Sequence, residues 1–274
     1  MTINCKGTLI DLSVPKVMGI LNCTPDSFYD GGKFKNEVAL LSQVEKMIID
    51  GATFIDVGGY SSKPGAEYVS EKEELRRILP MVALILNHFP EAVLSIDTFR
   101  SEVAKQAIGL GASLINDISA GNFDENMMPT IGKLNVPYVM MHMKGTPKTM
   151  QSLAHYDSII KEIQFYFSEK IALASRFGIA DVLIDPGFGF AKTLLQNYEL
   201  LNKLDLLQLL QLPILVGISR KSMIYNALNT TSEKSLNGTS VLNTVALQKG
   251  ANILRVHDVK EAVECIQLLA FLKN

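Results

Sequence analysis

Two side chains that bind anions stand two residues apart near the C-terminus, in the stretch "ILRVHDV". Successive side chains of an extended strand alternate faces, so Arg255 and His257 point one way and Val256 the other. A guanidinium fork beside an imidazole suits a phosphate-like group. Asn22 ends the apolar run 17–21 at the other end of the chain. Brought beside the pair, its amide completes an anion corner, and its oxygen suits Mg²⁺, which usually keeps waters and phosphate oxygens as its other ligands. A second set has different chemistry. Asp97, Asn116, Asp185 and Lys221 supply two carboxylates, an amide and an ammonium. They suit a flat heterocycle: parallel N–H donors of an amino-amidine edge meet two carboxylate oxygens, and Lys221 donates to a ring carbonyl. Lys221 also reads as a Schiff-base lysine of the kind barrel aldolases use.

These residues are scattered over the chain, so the elements carrying them must converge. Short apolar runs at 17–21, 53–57, 93–98, 114–118, 137–142, 182–185, 214–218 and 253–257 alternate with stretches of helical spacing such as "EVALLSQVEKMIID". Three of those stretches end in Gly-Ala (Gly51, Gly111, Gly250), the punctuation of a helix ending in a left-handed residue. Strands alternating with helices and lacking hairpins predict parallel strands with crossover helices. Eight units fit a closed (β/α)8 barrel, a single domain over residues 1–274, with the open doubly wound sheet as the alternative. The first residues, "INCKGTLIDL", read as an extra strand or hairpin plugging the bottom. Nearly every run ends in a polar residue or glycine: Asn22, Asp56 with Gly58-Gly59, Asp97, Asn116-Asp117, His142, Asp185, Ser219-Arg220-Lys221, and Arg255 with His257. A barrel's active site forms at the C-terminal ends of its strands, where these ends would meet. Closure also sets the last strand beside the first, and so Arg255 and His257 beside Asn22. Some ends have structural readings. Asp117 and Asp258 suit helix N-caps, His142 a packed and hydrogen-bonded imidazole, Met140 a core position, and Asp56 a tie between loops. The stretches 22–36, 58–70, 145–156 and 186–193 read as lids or substrate walls.

Bulk properties exclude several classes. The chain has 274 residues, 47% hydrophobic and 20% charged, with net charge −2. That balance gives no electrostatic case for nucleic acid or an anionic membrane. No apolar run approaches the roughly 20 residues of a membrane span, and the N-terminus lacks the pattern of a signal peptide. Cys5, Cys23 and Cys265 have no metal-ligand spacing and cannot all pair, which favours a reducing cytoplasm. Cys23 reads as a bystander.

The motifs resemble the dihydropteroate synthase family from about residue 16 onward. They are "NCTPDSFYDGG", "DVGGYSSKPGA", "SIDTFRSEVA", "INDISAG", "MMHMKGTPKTMQ", "IDPGFGFAKT", "VGISRKS" and "GTSVLNTVALQKGANILRVHDV", in order. The resemblance implies condensation of (7,8-dihydropterin-6-yl)methyl diphosphate with 4-aminobenzoate in folate synthesis. It implies a pterin site of Asp97, Asn116, Asp185 and Lys221 with Met140 and Gly217 as walls. Asn22, Arg255 and His257 would hold diphosphate, Asn22 through Mg²⁺. Thr24, Pro25, Ser61, Ser62, Lys63, Pro64, Phe190, Lys221 and Ser222 would form the aminobenzoate site. Asp97, Lys221, Arg255 and His257 would carry catalysis. The resemblance also implies sulfonamide inhibitors and a homodimer formed through helices remote from the pocket.

This chain departs from the family in places. Ser62 and Lys63 stand where many members have Thr and Arg, Tyr60 replaces a common acidic residue, and Ala191 stands where glycine is usual. Lys63 keeps the charge but loses the planar fork. Three rival readings remain: a methyltetrahydrofolate-dependent methyltransferase, a Schiff-base aldolase using Lys221, and an inactive pterin-binding protein. The anion corner argues against the methyltransferase, and the intact polar set against the inactive protein.

Overall fold

The structure, a computed structural model, describes residues 1–22, 33–60 and 69–272, with residues 33–36 given by backbone alone. Each apolar run contains a strand. The hairpin β1 (Thr2–Cys5) and β2 (Thr8–Asp11) comes first, followed by β3 (Lys16–Asn22), α1 (Lys33–Ile49), β4 (Phe54–Gly58), α2 (Glu71–His88), β5 (Leu94–Asp97) and α3 (Ser101–Leu110). Then come β6 (Leu114–Asp117), α4 (Met127–Leu134), β7 (Tyr138–Met141), α5 (Ile159–Arg176), β8 (Val182–Asp185) and α6 (Leu194–Asn202). The chain ends with β9 (Leu215–Val216), α7 (Ser222–Ala227), α8 (Leu236–Gln248), β10 (Ile253–Val256) and α9 (Val259–Ala270). Gly51, Gly111 and Gly250 all have positive φ, as the helix-ending reading requires.

The parallel strands lie in the order β8-β7-β6-β5-β4-β3-β10-β9. An open sheet would leave β8 and β9 as free edges. Instead Ile184 of β8 bridges Ile214, and its N–H donates to the Pro213 carbonyl at 3.0 Å. The sheet therefore closes, and the doubly wound alternative is excluded.

The strands read as unbroken apolar runs because both faces are buried. Val17, Ile55, Ile96 and Ile184 face outward into a core shared with the helices. Met18, Phe54, Leu114, Val139, Leu183, Leu215 and Ile253 face inward at the bottom, where Ile3, Cys5, Ile10 and Leu12 join them. The hairpin thus plugs the barrel, as its sequence predicts. α2 shows how local signals agree: Ser70 caps it by accepting from the Glu73 N–H at 3.2 Å, and Glu71, Glu73 and Glu74 lie at the positive end of its dipole. Among the described residues no helix is long and apolar enough to cross a membrane.

Candidate active site

Period two along each strand fixes what the barrel mouth receives. Two residues above Phe54 on the same face is Asp56, above Leu114 is Asn116, above Leu183 is Asp185, above Leu215 is Gly217, and above Ile253 is Arg255. Asp97 enters from β5, level with Gly58 and Asn116. Asp56, wholly buried, is the hub. It accepts from Arg255 Nε at 2.6 Å, Asn116 Nδ2 at 3.1 Å and Ser95 Oγ at 2.5 Å. Arg255 Nη2 donates to Asp97 Oδ2 at 2.7 Å. The anion corner and the ring corner therefore share a wall.

On the opposite side of the mouth, Lys221 Nζ donates to the Phe188 carbonyl at 2.6 Å and lies 4.8 Å from the centre of the Phe190 ring. Asp185 accepts from the Gly187 N–H at 2.7 Å. A Cβ on Gly217 would stand 3.8 Å from Arg255 Cβ and 3.9 Å from Lys221 Nζ, so glycine keeps the space between those cations open. His257 is exposed just beyond β10; its N–H donates to Ser219 Oγ at 3.2 Å, and that oxygen lies 3.0 Å from its Nδ1. β10 pairs with β3, Arg255 lying level with Met18. Asn22, further along β3 and level with Gly58, is exposed at the rim. Ser222, also exposed, opens α7.

Burial sets the charge states. It pushes Asp97 up to about 7 against the pull of Arg255, with Asp56 adding repulsion. It raises Asp185 too, opposed by Lys221. It lowers Lys221 to about 8, opposed by Asp185. Burial also works against the Arg255 charge, but Asp56 and Asp97 outweigh it and hold its pKa above the ordinary value. The site thus pairs a permanently charged guanidinium with a carboxylate and an ammonium that titrate near neutrality.

The family model for pterin binding enzymes matches residues 18–257. The dihydropteroate synthase of Escherichia coli K12 is 44% identical over 271 residues, covering 98% of this chain and 95% of that one. The chain belongs to the dihydropteroate synthase family of pterin-binding enzymes. Its barrel superposes on that of the Yersinia pestis dihydropteroate synthase, solved with a sulfonamide drug complex, with a TM-score of 0.93, 42% identity and coverage of 100% and 99% of the two chains. The Xanthomonas albilineans dihydropteroate synthase, solved with 4-aminobenzoic acid, gives 0.91, 36%, and 99% and 98%.

Asp97, Asn116, Asp185, Gly217, Lys221 and Arg255 gather at one mouth of the barrel, with His257, Asn22, Phe190 and Ser222 around it. Met140 does not join them. It is level with Asp117 on the outer face and buried in the helix-side core, so it is no pterin wall. Met141, level with Asp185 and packed with Ile118 and Ala191 beside Phe190, takes the inward position. Cys23, Thr24, Pro25, Ser61, Ser62, Lys63 and Pro64 lie outside the described residues.

The N-cap readings fail for a shared reason: both carboxylates are engaged elsewhere. Asp117 ties its own loop by accepting from Tyr138 Oη at 2.6 Å, the Ser119 N–H at 2.7 Å and the Gly121 N–H at 2.7 Å. Asp258 precedes α9 but takes both arms of Arg220, at 2.8 and 2.6 Å. His142 is packed as expected, 2% exposed and edge-on to Tyr166. The stretch expected as a loop at 22–36 gives its last residues to α1, which begins at Lys33, and that at 145–156 contains a 3₁₀ turn, Met150–Leu153. Sequence reasoning missed Asp56 as the hub and Ser95 as its partner. The signal was available, because Asp56 shares a face with Phe54 and Ser95 with Asp97.

Proposed function

We infer that the chain condenses (7,8-dihydropterin-6-yl)methyl diphosphate with 4-aminobenzoate, giving 7,8-dihydropteroate and diphosphate for folate synthesis. One observation carries the reading: the 2.7 Å contact between Arg255 and Asp97 joins the anion corner to the ring corner. The substrate bond to be broken runs between a ring and a diphosphate, so a substrate gripped at both ends has that bond at the seam. Asp185, Asn116 and Lys221 hold the pterin edge, and Arg255 and His257 hold the diphosphate. Thr24, Pro25, Ser61, Ser62, Lys63, Pro64, Phe190 and Ser222 are assigned to the aminobenzoate.

The proposed course is dissociative. The methylene C–O bond breaks and its electron pair leaves with diphosphate, whose charge Arg255 and His257 disperse. The electron-rich dihydropterin spreads the resulting cation, and the Asp97 carboxylate lies where it stabilises positive charge. The arylamine lone pair then forms the C–N bond and the nitrogen sheds a proton. An aniline is neutral at pH 7, so this step needs no strong general base.

Asn22 suits Mg²⁺ as a single protein ligand. It is one exposed amide oxygen, and the described residues contain no cluster of three or more His, Cys, Asp or Glu that fits a metal. Such a site takes an ion that keeps waters and substrate oxygens, and the ion would supply further charge for the leaving diphosphate. Sulfonamides are proposed to occupy the aminobenzoate site; the drug complex of the Yersinia relative supports this. A homodimer is proposed through the barrel's outer helices, where Val241, Leu268, Phe271 and Leu272 are exposed. Cys5 and Cys265 are buried and free, which fits a reducing cytoplasm.

A diphosphate-release assay tests the reading. Release that requires both 4-aminobenzoate and Mg²⁺ is expected. Borohydride trapping of a carbonyl substrate on Lys221, without diphosphate release, would replace it with the aldolase.

A further inference from the structure

Lys192 is a buried cation outside the catalytic set, only 4% exposed, and among the described residues no carboxylate is bonded to its ammonium. A charge that deep needs partners. In the protonated form its three N–H donors find three acceptors: the Gly187 carbonyl at 2.9 Å, the Phe190 carbonyl at 2.9 Å and His142 Nδ1 at 3.2 Å. Accepting from that ammonium at Nδ1 places the His142 proton on Nε2, and burial holds the imidazole neutral by lowering its pKa. The arrangement is a clamp: two bonds close the loop 186–192 on itself, and the third ties it to the end of β7.

The loop needs a clamp. Gly187, Gly189 and Ala191 all have positive φ, at +72°, +81° and +49°. A Cβ at Gly187 would lie 2.0 Å from the His142 carbonyl oxygen, so the chain crosses β7 where only glycine fits. Ala191 has no such freedom and sits in a left-handed conformation that disfavours L-residues. This same loop supplies the Phe188 carbonyl and the Phe190 ring that bound Lys221.

We propose that Lys192 is a positioning residue: by pinning a strained loop, it fixes where Lys221 stands and limits the water around it. The reaction assigned above gives the clamp its catalytic meaning, but the clamp has a readout of its own. Burial lowers Lys221 to about 8, with Asp185 opposing it, Arg255 reinforcing it and Asp97 opposing it. The groups facing Lys192 are His142 from the end of β7, Asp185 from β8, and Lys221 and Lys144 nearby; burial lowers Lys192 itself to about 7. Releasing the loop lets more water reach the half-buried Lys221, so its titration moves up from about 8 toward the ordinary 10.5.

The experiment follows the Lys221 ammonium by ¹⁵N NMR across pH, together with diphosphate release and thermal unfolding. It compares the parent, Lys192→Met, which keeps the stem and loses all donors, and Lys192→Gln, which keeps two. Both variants remove the Lys192 charge, which repels Lys221, so some upward shift is common to them; the expected result is a further upward Lys221 shift in Lys192→Met over Lys192→Gln, because only the loss of the remaining donors frees the loop. kcat/KM for 4-aminobenzoate should fall about 10- to 100-fold in Lys192→Met and less in Lys192→Gln, as expected when a catalytic group is misplaced by about an ångström. The same Lys221 titration in both variants, moved or unmoved, overturns the proposal, even if the melting temperature or turnover falls. If Lys192→Met does not fold, Lys192→Leu, which also lacks every donor, takes its place in the comparison with Lys192→Gln. An inactive parent refutes the assigned reaction and leaves the NMR comparison to judge the clamp.

Discussion

The two ends of this barrel are built from the same strands and the same inward face, yet they have nothing chemically in common. At the bottom, Met18, Phe54, Leu114, Leu183, Leu215 and Ile253 close with the hairpin into an apolar plug. One inward position higher, Phe54 gives way to Asp56, Leu114 to Asn116, Leu183 to Asp185 and Ile253 to Arg255. The bottom is held by area removed from water. The top is held by charges that compensate one another, with Arg255 between Asp56 and Asp97 and all three buried or nearly so. Burying a paired ion gains little net stability over a well-packed apolar group, whereas removing one partner is costly. The polar end is therefore retained for what it binds, and the apolar end for keeping the sheet closed.

The largest expected effect tests the top. Lys221→Ala and Asp97→Asn should each lower kcat/KM about 100- to 1,000-fold, the scale of losing one preorganised polar group. Their urea midpoints should stay close to the parent's. Unchanged turnover in both would show that the ring corner is misassigned. Next comes a matched pair one inward position apart on β4. Phe54→Ala should cost about 3–5 kcal/mol of stability, while the folded fraction keeps kcat/KM within about twofold. Asp56→Ala should cost a similar ~3–5 kcal/mol, because Arg255 loses a buried partner, and should also lower turnover. Equal activity profiles for the two would erase the distinction between the ends.

A smaller effect comes from pH. Asp97, raised to about 7, loses its negative charge as pH falls through that value, and Lys221, lowered to about 8, loses its positive charge as pH rises through that value. If both charged forms are required, kcat/KM should form a narrow bell between those limbs. Asp97→Asn should remove the acidic limb from whatever rate remains. A limb that persists belongs to another group.

Much of this architecture was legible because barrel strands carry their signal locally. Eight apolar runs, three Gly-Ala junctions and polar residues at strand ends are short-range patterns, and closure follows from their number. Asp185 and Arg255 could be placed at one mouth because every parallel strand ends at the same pole. What was not legible is contact across the barrel. Asp56 reaches Arg255 over 199 residues and Asn116 over 60, and no local spacing reports such pairs. The same gap explains Asp258, whose place before α9 suggested a cap while Arg220, 38 residues earlier, took its carboxylate.

The subtlest miss makes the last test. Met140 and Met141 are adjacent, identical and both buried, and only the pairing of β7 with its neighbours decides which one faces the mouth. A slip of one residue exchanges the two faces. Met140, level with Asp117, is core, so Met140→Ala should lower stability by about 2–5 kcal/mol and leave the KM for the pterin diphosphate unchanged. Met141, level with Asp185, faces the ring corner, so Met141→Ala should raise that KM about 5- to 150-fold, since losing apolar contact weakens binding by about 1–3 kcal/mol. The reverse pattern would mean that β7 is offset by one residue and that its inward face is the other one. In that case the pairings of β7 with β6 and β8 would have to be rebuilt, while Asn116, held level with Asp97 on β5, would keep its place beside Asp56.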